Sequence, residues 1–130
     1  MTLFEVNQKY LKYQNENETY RFIHDPFQKI SIHIWQKKQP SSDGTNEITR
    51  FQVALDDDIL EWKDSHVRYG EVDSGETEMG IKRTPVMMMT EVVNQSFIEK
   101  IVPVLKENEN IAGMRFIIQI IENSGQSEKL

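Results

Sequence analysis

Residues 29–37 read K-I-S-I-H-I-W-Q-K, and Ile30, Ile32 and Ile34 alternate strictly with Ser31, His33 and Trp35. A period of two belongs to a β-strand, whose successive side chains point to opposite faces. On a helix the same isoleucines would scatter around the circumference, so this run commits the chain to a sheet. The run before it, T-Y-R-F-I-H at residues 19–24, is set off by Asp25-Pro26. Proline presets the backbone for a turn, so the two runs predict a hairpin.

The same logic extends to V-A-L-D-D-D-I-L-E-W, residues 53–62. A tight turn at Asp57-Asp58 pairs Leu55 with Leu60 and Val53 with Trp62. Phe51, Val53, Leu55, Leu60 and Trp62 then share one face, and Gln52, Ala54, Glu61 and Lys63 the other. A loop of odd length would mix the faces, because a slip of one residue turns every side chain over. The three aspartates are therefore expected at a solvated hairpin tip. H-V-R-Y-G-E-V, residues 66–72, predicts a further strand, and P-V-M-M-M-T, residues 85–90, a short buried one. Between them Asp73 to Gly80 reads as an acidic loop.

Helical spacing occurs at the two ends. Leu3, Val6, Tyr10 and Tyr13 predict a short amphipathic helix over residues 3–13, with Thr2 and Glu5 as a capping box. Ser96 and Glu99 form the same pattern before Phe97, Ile101 and Leu105, with Pro103 inside the helix. Residues 111–123 fit a helix by their polar stripe, Arg115, Gln119, Glu122 and Asn123, although their isoleucines also suit a strand. The expected fold is an α+β domain. It has an antiparallel β-meander of four to six strands, a short N-terminal helix, and two C-terminal helices packed on one face.

The chain has 130 residues, 38% hydrophobic and 28% charged, which suits one domain over residues 1–130 with one core. The net charge is −6, which disfavours nucleic acid and anionic membranes and favours a partner with a basic surface. There is no cysteine, so thiol chemistry and disulfides are excluded. The start lacks a basic segment followed by an apolar one, and no run is long enough to cross a bilayer, so a cytoplasmic location is expected.

Motifs for chemistry are weak. Asp56 to Asp58 lack the glycine and glutamate spacing of a calcium loop, and consecutive tip residues point apart. His24, His33 and His66 have no paired spacing for zinc. Asp64-Ser65-His66 holds the residue types of a hydrolytic triad, but triads converge through the fold, not through adjacency. Gly75 to Lys82 misses the lysine position of a phosphate loop. Met87 to Met89 suit flexible core filling better than copper. No catalytic residue, metal ligand or cofactor is expected, and an enzyme is the least favoured class.

Trp35 is an aromatic on a polar strand face shared with Lys29, Ser31, His33 and Lys37. Tryptophan is enriched where proteins meet, so Trp35 and His33 are candidate partner contacts. The leading expectation is a non-enzymatic interaction or regulatory module, with another protein or a second copy as partner. The alternative is a small-ligand or lipid-like binding protein, with Phe51, Trp62, Met87 and Met88 lining a pocket between sheet and helices.

Overall fold

The computed structural model describes residues 2–7, 17–27, 29–39, 42, 46–71 and 93–126. Six strands run in chain order: β1 (Phe4–Glu5), β2 (Glu18–His24), β3 (Ile30–Lys37), β4 (Ile48–Leu55), β5 (Asp58–Lys63) and β6 (His66–Glu71). Each pairs antiparallel with the next, so the sheet order is the chain order. Two helices follow, α1 (Gln95–Glu107) and α2 (Met114–Gln126). The α+β meander with two C-terminal helices is thus as expected. Among the described residues no helix is long and apolar enough to cross a membrane.

Alternation sorts the sheet into two faces. Ile23, Ile30, Ile32, Ile34, Phe51, Val53, Leu60 and Tyr69 are buried on the inner face. The helices complete that core with Phe97, Ile101 and Leu105 of α1 and Met114, Ile117 and Ile121 of α2. These positions recur at three- and four-residue spacing, so each helix offers one apolar stripe to the sheet. Pro103 faces solvent in the third turn of α1, and the helix continues past it.

The N-terminal helix is replaced, over its described part, by an edge strand. Phe4 and Glu5 pair with His24 and Ile23, and Leu3 is buried. Glu5 binds Arg21 instead of closing a capping box, and the Leu3 amide donates to Asn108 Oδ1 at 3.1 Å. Long-range partners for Leu3 and Glu5 outweigh a weak local helix preference. The rest of that predicted helix, Tyr10 and Tyr13 included, lies outside the described residues, as do the acidic loop 73–80, the strand at 85–90 and Met87 to Met89.

Smaller differences concern boundaries. The acidic hairpin does have an even loop, but its two residues are Asp56 and Asp57. Leu55 pairs with Asp58, Val53 with Leu60 and Phe51 with Trp62. The faces are as expected because parity is kept, while each partner moves by two residues. Asp56 sits at φ 53°, a left-handed conformation that aspartate tolerates, and its amide donates to Lys29 O at 3.0 Å. Asp64 and Ser65 are both left-handed, at φ 52° and 65°, as a type I′ hairpin turn requires. Helix α1 is capped by Asn94, whose side chain accepts from the Ser96 amide, so it starts earlier than a Ser96 cap would allow. Helix α2 runs through Ser124 and Gly125 to Gln126.

The β2–β3 turn is held by Asp25. Its buried carboxylate accepts from the amides of Phe27 at 3.0 Å and Ile30 at 2.7 Å. Burial alone would raise this carboxyl's pKa, but the backbone hydrogen bonds outweigh it and hold the group below its usual range.

Candidate functional site: an aromatic sheet face and an end cleft

The outer face of the sheet carries Tyr20, Phe22 and His24 from β2, with Ser31, His33 and Trp35 from β3 opposite them. Arg50 and Gln52 of β4 stand across from Trp35 and His33, and Glu61 of β5 across from Gln52. The core helices lie against the other face, so Trp35 is not covered by a helix among the described residues. It is half-buried by its own neighbours.

The rings form one cluster. His33 stacks on Tyr20 at a centroid distance of 5.7 Å and on Phe22 at 4.9 Å, and Tyr20 meets Trp35 at 5.3 Å. The Tyr20 hydroxyl hydrogen-bonds to His33 Nδ1. The Arg50 guanidinium lies over the Trp35 ring, 4.4 Å from its centroid. Arg50 is pinned there by Glu61, whose Oε2 accepts from Arg50 Nη2 at 2.7 Å and from Gln52 Nε2 at 2.9 Å. Burial would raise the Glu61 pKa, but the bonds from Gln52 and Arg50 and the charges of Arg50 and Lys63 hold it below the usual range.

His33 is shifted down, first by burial and then by the charge of Arg50. A histidine whose folded pKa lies below its unfolded value of about 6.5 binds fewer protons in the native state. Stability therefore falls as pH drops through that value toward the folded one. A thermal melting series from pH 7.5 to 5 is expected to show a loss that His33→Gln reduces. Identical pH profiles for the two proteins would show that His33 does not contribute.

At one end of the inner face lies a cleft of about 950 Å³. Ile48, Trp62 and Phe116 form its apolar wall, and Glu5, Arg21, Gln36 and Glu47 supply polar groups. Arg21 is buried and fully engaged. It donates to both Glu5 oxygens at 2.6 and 2.7 Å and to Ala112 O at 2.9 Å. A β-bulge brings Ile48 into the cleft's wall. Trp35 pairs with Arg50 but Gln36 pairs with Ile48, so Thr49 is the extra residue and Ile48 turns inward.

The expected site residues therefore part company. Trp35 and His33 come together on the outer face. Of the expected pocket residues, Trp62 lines the cleft, whereas Phe51 is fully buried behind it, stacked on Trp62 at 5.6 Å. Met87 and Met88 lie outside the described residues. Among the described residues no three histidines or carboxylates converge to hold a metal. Sequence reasoning missed Tyr20, Arg50 and Glu61. Tyr20 and Arg21 lie on opposite faces of β2, and only the strand register shows that Tyr20 is the one that meets Trp35. No protein-family model, curated protein or solved structure matches the chain.

Proposed function

We propose that this protein is a non-enzymatic interaction module that binds another protein through the outer face of its sheet. One observation carries the reading: Trp35, Tyr20 and Arg50, the three residue types most enriched at binding hot spots, form one contiguous cluster on a face that neither helix covers. Stacking and the Arg50–Glu61 pair hold these side chains in place, so little rotamer freedom remains to be lost on binding.

Trp35→Ala is expected to weaken partner binding by at least about 2 kcal/mol, roughly thirtyfold. The fold should lose no more than about 1–2 kcal/mol, the worth of the stacking and cation–π contacts. Affinity capture from the native cell with wild-type and Trp35→Ala protein, analysed by mass spectrometry, checks this. A partner retained equally by both proteins would exclude the face.

A second reading, a small-ligand binding protein, is favoured by the end cleft, whose volume and mixed lining are those of ligand pockets. A stoichiometric small molecule recovered with the protein, and no protein partner above background, would favour it over the first.

A further inference from the structure

The outer face does not share the acidic excess of the chain. The chain as a whole is −6. On the outer face Lys37 is paired with Glu47 at 3.4 Å and Arg50 with Glu61 at 2.7 Å, and Lys63 and Arg68 stand near them. All three histidines of the chain, His24, His33 and His66, lie on it as well. Beside the aromatic cluster is a shallow depression of about 380 Å³ lined by Arg50, Glu61, Lys63, Asp64, His66 and Arg68. Glu61 is already held by Arg50 and Gln52. Among the described residues neither Lys63 nor Arg68 has an ion-pair partner. Asp64, in the turn, is the one carboxylate of the depression outside that network. In its lining the cations Arg50, Lys63 and Arg68 outnumber the carboxylates Glu61 and Asp64.

We propose that this face docks a short, extended acidic polypeptide segment. An apolar side chain of the segment rests on Tyr20 and Trp35, and its carboxylates lie over Lys63 and Arg68. The inference depends on the outer face being the partner surface, and it names the partner's chemistry. A partner with a basic surface suits the chain's net charge, but at physiological salt charges beyond about 8 Å are largely screened, so a docked segment feels the local face. Single-stranded nucleic acid fits less well. A long polyanion spans beyond this patch onto an acidic molecule. A second copy offering the same face would set like charges against each other.

Fluorescence anisotropy tests the proposal with short labelled peptides that alternate leucine with glutamate, lysine or serine, and with a single-stranded oligothymidylate. The glutamate peptide is expected to bind best and to weaken as salt rises. A Lys63→Glu, Arg68→Glu double variant should weaken it by about tenfold or more, while Trp35→Ala weakens it as well. Equal or tighter binding of the serine or lysine peptide, still lost in Trp35→Ala, overturns the acidic partner and leaves the face standing. Oligothymidylate binding at least as tight, with the same dependence on Lys63 and Arg68, assigns the face to nucleic acid and overturns the proposal. Binding indifferent to Trp35, or no binding by any probe, overturns the face and the acidic partner together. Circular dichroism of each variant separates lost binding from lost folding.

Discussion

Phe51→Ala is expected to lower the unfolding free energy by about 3–5 kcal/mol. The ring is fully buried in the middle of β4, between Ile34 of β3 and Trp62 of β5. It stacks on Trp62 at 5.6 Å, and Phe116 of α2 meets it edge-on at 6.4 Å. Truncation removes the apolar contact and leaves a cavity between sheet and helix that the surrounding isoleucines only partly fill. Trp62→Ala should cost less, about 2–3 kcal/mol, because one side of that ring faces the cleft and its removal opens no closed cavity. Chemical denaturation checks both, read as a shift in midpoint at unchanged slope. A Phe51→Ala loss below about 1.5 kcal/mol would mean that α2 does not pack on β4 and β5 as described. The effect also reaches function. Phe51 points inward between Arg50 and Gln52, the two residues that hold Glu61 on the outer face, so the core beneath β4 sets how firmly the Trp35 cluster is presented.

Arg21→Ala is expected to cost about 3 kcal/mol. Arg21 is a charged residue on the apolar face, and its side chain is 8% exposed. Its guanidinium joins three parts of the chain: Glu5 of β1, Gln36 of β3, and the Ala112 carbonyl before α2. Removing it strands a carboxylate and a carbonyl that have given up water. Glu5 remains 34% exposed, which places the loss toward the lower end of the range for buried pairs. Replacing both partners, Arg21→Met with Glu5→Gln, should recover much of the loss, since an uncompensated charge is the main penalty. Hydrogen exchange then reads the local effect. The Val6 amide donates to Phe22 O at 2.8 Å, and in Arg21→Ala it should exchange faster than amides in β4. Uniform acceleration across the sheet would show that Arg21 supports global stability and does not specifically fasten the edge strand.

Much of the sheet was legible because its signal is local. Ile30, Ile32 and Ile34 can share a face only as a strand, and Leu55 and Leu60 can share one only across an even loop. The exact turn, Asp56-Asp57 and not Asp57-Asp58, was not legible. Three identical residues offer the same chemistry to either position, and the choice follows from β4 pairing with β3 on its other side and from the left-handed backbone at Asp56. The N-terminal helix reading failed for a similar reason. The spacing of Leu3, Val6, Tyr10 and Tyr13 is a weak preference, and the partners that decide the matter, Arg21 and Asn108, are distant in sequence.

The candidate site divides along the same line. Trp35 and His33 were visible as aromatic residues on a polar strand face, since alternation alone puts them opposite the isoleucines. Their partnership with Tyr20, Arg50 and Glu61 required the registers of three strand pairs. The inward turn of Ile48 required a bulge that breaks the period of two on which the sequence reading rests. The clustering of Arg50, Lys63 and Arg68 on the outer face was equally hidden, because net charge sums over the whole molecule while a docked partner meets one surface. The amino-acid sequence by itself determined strands β2 to β5 and helix α1 and favoured a helix after residue 111, all through side-chain period within a few residues. Only the tertiary structure decided which residues from different strands share a surface, because hydrogen-bond register between strands is a property of the assembled sheet and of no single segment.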